Sequence, residues 1–94
     1  MSDKKEFDRR TSVKIELDYP VTVSGLVVTE LTMRRPKTKD SMKAAKSRGS
    51  EAEKGVLLLA DLCDTSPDVI GELDEADARK LGEQLDAFRG GQSD

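Results

Sequence analysis

Two runs of strand-forming residues, Val13 to Val23 and Leu26 to Met33, meet at Ser24-Gly25 and stop at Arg34-Arg35-Pro36. In the first run Val13, Ile15 and Leu17 alternate with Lys14, Glu16 and Asp18. This period of two marks a strand with one face buried. Pro20 has no N–H to give to a ladder, so it marks an edge, a bend or a bulge. Ser24-Gly25 fits a tight turn, because glycine tolerates positive φ. In the return run Val27, Thr29, Leu31 and Met33 fall on one face. A lone hairpin is marginal in water, so the rest of the chain must cover it. The fold class that follows is α+β, an N-terminal hairpin of two antiparallel segments followed by three to four short helices.

The cover reads as helix throughout. Lys37 to Arg48 is either a short helix, with Asp40 or Ser41 as N-cap, or a mobile basic loop. Only Met42, Ala44 and Ala45 in it offer anything to bury, and Gly49 breaks it. Ser50-Glu51-Ala52-Glu53 matches a capping box. It opens a helix from Glu51 to Cys63 whose Val56, Leu57, Leu58, Leu59 and Leu62 wrap apolar surface around most of the cylinder, the pattern of a central helix. Ser66-Pro67 opens a short helix with Pro67 at the first helical position, where its missing N–H costs nothing. Asp74 caps a last helix, with Asp77 three residues on. Ala78, Leu81, Leu85 and Phe88 then recur at helical spacing, and Gly90-Gly91 ends the helix. Burial is expected chiefly in Val56–Cys63 and Leu81–Phe88, with the hairpin the lesser contributor. Residues 1–10 read as a flexible lead, 11–90 as one domain and 91–94 as a tail.

At 94 residues, 37% charged and 35% hydrophobic, the domain has little apolar surface to bury. Marginal stability, or stability gained from a partner, is the consequence. Charge is unevenly spread. Residues 1–49 hold 12 Lys/Arg and 7 Asp/Glu, whereas residues 50–94 hold 4 and 12. A basic front and an acidic rear suit charge-guided association better than general nucleic-acid binding.

The chemistry of catalysis is thinly supplied. There is no histidine, which removes the commonest general base and metal ligand. The single cysteine, Cys63, provides neither a zinc ligand set nor an internal disulfide, and it fits a reducing compartment. It lies on an apolar helix beside Asp61 and Asp64, which would raise its pKa, and reads as a buried small hydrophobe. Asp61, Asp64 and Asp68 do not have the spacing of a calcium loop. No phosphate-cradling glycine motif occurs. The expectation is a non-enzyme with no cofactor. The charged N-terminus predicts no secretion signal, and the longest apolar run, Val56–Ala60, is too short for a membrane span.

Tyr19-Pro20-Val21-Thr22-Val23-x-Gly25, then Val28-Thr29-Glu30-Leu31-Thr32-Met33-Arg34-Arg35-Pro36 and Asp40, resemble the opening of the tail assembly chaperones of Mu-like and P2-like phages. The leucine-rich helix Val56 to Leu62 and the segment Pro67-Asp68-Val69-Ile70-Gly71-Glu72-Leu73-Asp74-Glu75-Ala76-Asp77 continue the likeness. It covers about Val13 to Phe88 and depends on the order and spacing of the pieces. Ser24 stands where Asp or Asn is more usual before the glycine, and residues 37–49 are more basic than the family's first helix. The resemblance implies a non-virion protein of the host bacterial cytoplasm. Such a protein binds the tape measure protein, keeps it soluble and assists assembly of the tail tube, with the tail tube protein and a weak homo-oligomer as further contacts. In related systems a frameshift yields a longer form.

Two sets of residues are candidates for partner binding. Leu57, Leu58, Leu62, Val69, Ile70 and Leu73 either pack under the hairpin as core or, where they exceed what one small domain can cover, form in part an exposed patch for a partner. Arg34, Arg35, Lys37 and Lys39 would supply charge docking. The alternatives are a small nucleic-acid-binding regulator using residues 34–48 and a structural tail component. The basic run lacks interleaved aromatics for base stacking and is interrupted by Asp40, which makes nucleic acid the weaker reading.

Overall fold

The computed structural model describes residues 9–90. Most of the expected lead and the whole of the expected tail lie outside the described residues. The chain runs β1 (Ser12–Val23), β2 (Leu26–Arg34), α1 (Thr38–Lys46), α2 (Glu51–Leu62), α3 (Pro67–Glu72) and α4 (Glu75–Arg89). The two strands form one antiparallel sheet, and the fold is α+β. Ser24 and Gly25 both take positive φ, 52° and 79°. That is the type I′ turn whose twist matches a two-residue hairpin.

Pro20 lies in a bulge. Glu16 pairs with Glu30 and Val21 with Val28, so residues 17–20 of β1 face only Thr29 of β2. The offset also changes which residues share a face. Before it, odd-numbered residues pair with odd ones, as in Val13–Met33 and Ile15–Leu31. Beyond it, Val21 pairs with Val28 and Val23 with Leu26. Cross-strand partners lie on the same face of a sheet. Val28 therefore packs against the core while Val27 points to solvent. The single face expected for Val27, Thr29, Leu31 and Met33 holds only for Leu31 and Met33.

The helices begin and end where local chemistry places them. At α2 the Ser50 hydroxyl accepts from the Glu53 N–H at 3.1 Å and Glu53 accepts from the Ser50 N–H at 2.8 Å. Asp64 closes α2 at φ 52°, which lets the Thr65 N–H reach back to the Ala60 carbonyl at 2.9 Å. Ser66 caps α3, Asp74 caps α4, and Gly90 ends α4 at φ 77°. Residues 38–46 are helical, and the N-cap is Lys37, not Asp40 or Ser41. Asp40 sits one turn inside, where its carboxylate accepts from the Lys37 N–H at 2.8 Å.

The inner face of the hairpin contributes Ile15, Leu17, Leu31 and Met33 to the core. Leu58 and Leu62 of α2, Val69 and Ile70 of α3, and Leu81, Leu85 and Phe88 of α4 close over them. Met33, Leu62 and Leu81 are among the largest fully buried side chains. The hairpin is thus not the lesser contributor: its base is as deeply buried as either long helix.

Candidate partner-binding surface

The apolar candidates separate into one reachable residue and five buried ones. Leu58, Leu62, Val69, Ile70 and Leu73 are all buried, because α2 and α3 turn them toward the hairpin. Leu57 is only half-buried and lines a shallow depression with Val56, Pro67, Glu53, Gly49 and Arg48. Among the described residues the large apolar side chains that stand in solvent are Tyr19 at the bulge, Leu26 and Val27 beside the hairpin turn, and Met42 on α1. Met42 was expected to bury with Ala44 and Ala45. Only Ala44 packs on the core, since two turns of α1 lean on α2 along a single line.

The basic candidates also divide. The Arg34 guanidinium grips Asp40 through both nitrogens, at 2.8 and 2.9 Å. That bidentate pair ties the end of β2 to α1. Arg34 and the Lys37 N–H hold the Asp40 carboxyl well below the usual carboxylate range, against the opposing effect of burial. Arg35 donates to the Phe88 carbonyl at 3.0 Å and lies 5.3 Å over the Phe88 ring, which pins the end of α4. Both arginines are therefore engaged in contacts within the chain, although the Arg34 side chain keeps 45% of its surface accessible, whereas Lys37 and Lys39 are exposed. Lys43, also exposed, makes a surface ion pair with Asp61 at 3.1 Å.

Reading the sequence missed a clamp at the bulge. Asp77 is fully buried, and its two carboxylate oxygens accept from the N–H groups of Asp18 and Tyr19, both at 2.9 Å. Lys80 bridges Asp77, Asp18 and the Glu16 carbonyl at 3.3, 3.1 and 2.9 Å. Burial pushes the Asp77 carboxyl up, but these N–H groups and the ammonium outweigh it and hold the carboxyl below its ordinary value. At residues 16–19 the clamp satisfies backbone groups of β1 that the bulge leaves without a partner on β2. The available signal was Pro20: a bulge beside it frees N–H groups that need an acceptor.

Cys63 is buried, and that burial, not the neighbouring aspartates, pushes its thiol up to about 11. Among the described residues no group of three or more His, Cys, Asp or Glu is gathered to hold a metal ion. Among them, too, no helix is long and apolar enough to cross a membrane. The family model described as phage tail assembly chaperone proteins, E, or 41 or 14, matches residues 14–90. No curated protein and no solved structure matches the chain.

Proposed function

The chain belongs to the phage tail assembly chaperone family, and on that premise we propose that it binds the tape measure protein in the host bacterial cytoplasm. There it keeps that long chain soluble and assists tail tube assembly, without catalysis and without remaining in the finished particle. The observation that carries the reading is the family match across residues 14–90, nearly the whole of the described fold. The physical character of the molecule supports it. A small domain with a basic front, an acidic rear and a few exposed apolar side chains suits reversible capture of an amphipathic client. Leu57, in its depression beside Arg48, is the apolar candidate that a client reaches without opening the core.

Co-expression with the tape measure protein tests the proposal. The expected result is a larger soluble fraction of that protein and a complex that co-purifies. No gain in solubility together with no complex would overturn it. Recovery of the chain from purified virions would favour a structural tail component instead.

A further inference from the structure

We propose that the outward face of α1 docks an acidic amphipathic helix of a partner protein. The inference deepens the chaperone reading, since it rests on the chain acting by binding another protein. Lys39, Met42, Lys43 and Lys46 are spaced i, i+3, i+4 and i+7, and all four are exposed. They form one stripe along two turns of helix. Lys37 precedes it at the N-cap and Arg48 follows it at the rim of the Leu57 depression.

Three features set this stripe apart from an ordinary solvated face. First, Asp40, the one acid in the run, is turned inward at 6% exposure and neutralised by Arg34. The interruption seen in the sequence is absent from the surface. Second, Met42 sits 54% exposed in the middle of the lysines. A flexible, polarisable side chain there adapts to an apolar partner residue. Third, α1 is fixed in place: the Arg34–Asp40 pair holds its start, and Arg89 donates to the Ser41 hydroxyl at 3.1 Å. Among the described residues no carboxylate pairs with Lys37, Lys39, Lys46 or Arg48.

Charge and length together select the occupant. The stripe is positive and spans about 10 Å along the helix axis. An acidic helix face with an apolar residue over Met42 matches both the charge of the stripe and its exposed apolar centre, whereas a phosphate backbone has no apolar group to set there. No aromatic side chain lies within the stripe to stack a base.

Fluorescence titration of the full chain with defined probes tests this. The first probe is a synthetic Glu/Leu peptide of about five helical turns with its leucines on one face. The others are its scrambled isomer, the Lys/Leu counterpart and a single-stranded oligonucleotide. The amphipathic acidic peptide is expected to bind about tenfold tighter than the scramble, and to weaken between about 50 and about 300 mM salt. Lys39→Glu with Lys46→Glu, both exposed and so compatible with folding, is expected to lose about tenfold for the acidic peptide and to gain binding of the Lys/Leu peptide. Met42→Ala should weaken binding with little change in its salt dependence. Equal binding of the scramble, tighter binding of the oligonucleotide, no binding at all, or no effect of the charge reversal would each overturn the proposal. Co-expression separates it from the chaperone reading. If the Lys39→Glu/Lys46→Glu chain still solubilises the tape measure protein as the natural chain does, the docking face is wrong and the chaperone reading stands. If the natural chain fails to solubilise it, the chaperone reading falls whatever the peptides show.

Discussion

Asp77 joins segments 58 and 59 residues apart through two N–H groups, one to each carboxylate oxygen. Only a carboxylate fits both. An asparagine offers one acceptor and would turn its NH₂ toward the second N–H, leaving a buried donor unsatisfied. Asp77→Asn is therefore expected to lower the urea midpoint at neutral pH with the slope of the transition unchanged. Because Asp77 and Asp40 both have depressed values in the folded state, their stabilisation is present above the unfolded carboxyl value of about 3.9. It is lost as pH falls through the folded values. The urea midpoint of the natural chain should begin to drop below about pH 5 and go on falling as the pH passes below the unfolded carboxyl value, and Asp77→Asn should flatten that drop. An unchanged acid limb in the variant would assign the effect elsewhere. Cys63 makes a second prediction at this scale. With its thiol buried and pushed up to about 11, it should resist an aromatic disulfide reagent at pH 8 and react only as fast as the domain opens.

At the scale of elements, α2 decides which apolar residues are core and which are surface. Leu58 and Leu57 are adjacent in sequence, yet one faces the hairpin and the other rims a depression. An unpaired carboxylate in the core costs several kcal/mol, comparable with the whole stability of about 5–15 kcal/mol expected for a domain of this size. Leu58→Asp and Ile70→Asp are each expected to abolish the cooperative unfolding transition seen by circular dichroism. Leu57→Asp should keep that transition and weaken client capture. A folded, cooperative Leu58→Asp would contradict this placement of α2. These outcomes also mark where the sequence was legible. The Ser50–Glu53 capping box, Pro67, Ser24-Gly25 and Gly90 act over three or four residues, so local spacing revealed them. Which side of an all-round apolar helix faces the core depends on the hairpin's position, which no local pattern carries. The turn of Val27 outward and Val28 inward was hidden for the same reason, since it follows from the length of the bulge. Arg34 and Asp40 looked like surface charges because their pairing becomes visible only once β2 and α1 meet.

At the scale of the whole molecule, the last helix closes the structure on the first strand. Asp77, Lys80 and Leu81 lie on one face of α4, where the first two clamp the bulge and the third fills the core behind it. The basic front of the chain and its acidic rear are thereby joined by internal contacts, while among the described residues Lys37, Lys39 and Lys46 are exposed and make no ion pair. Leu81 is fully buried in the core that the hairpin and the helices share. Leu81→Ala should cost about 2–5 kcal/mol, the range for deleting a core leucine whose neighbours relax only partly. For a domain of this size that corresponds to a fall in Tm on the order of 10–40 °C. The same truncation at Leu57, which is only half-buried, should shift Tm by a few degrees at most. Scanning calorimetry of the two variants side by side measures both. A Leu81→Ala chain that melts within a few degrees of the natural one would show that α4 does not seal the hairpin, and that the Asp77 clamp alone holds the two ends of the domain together.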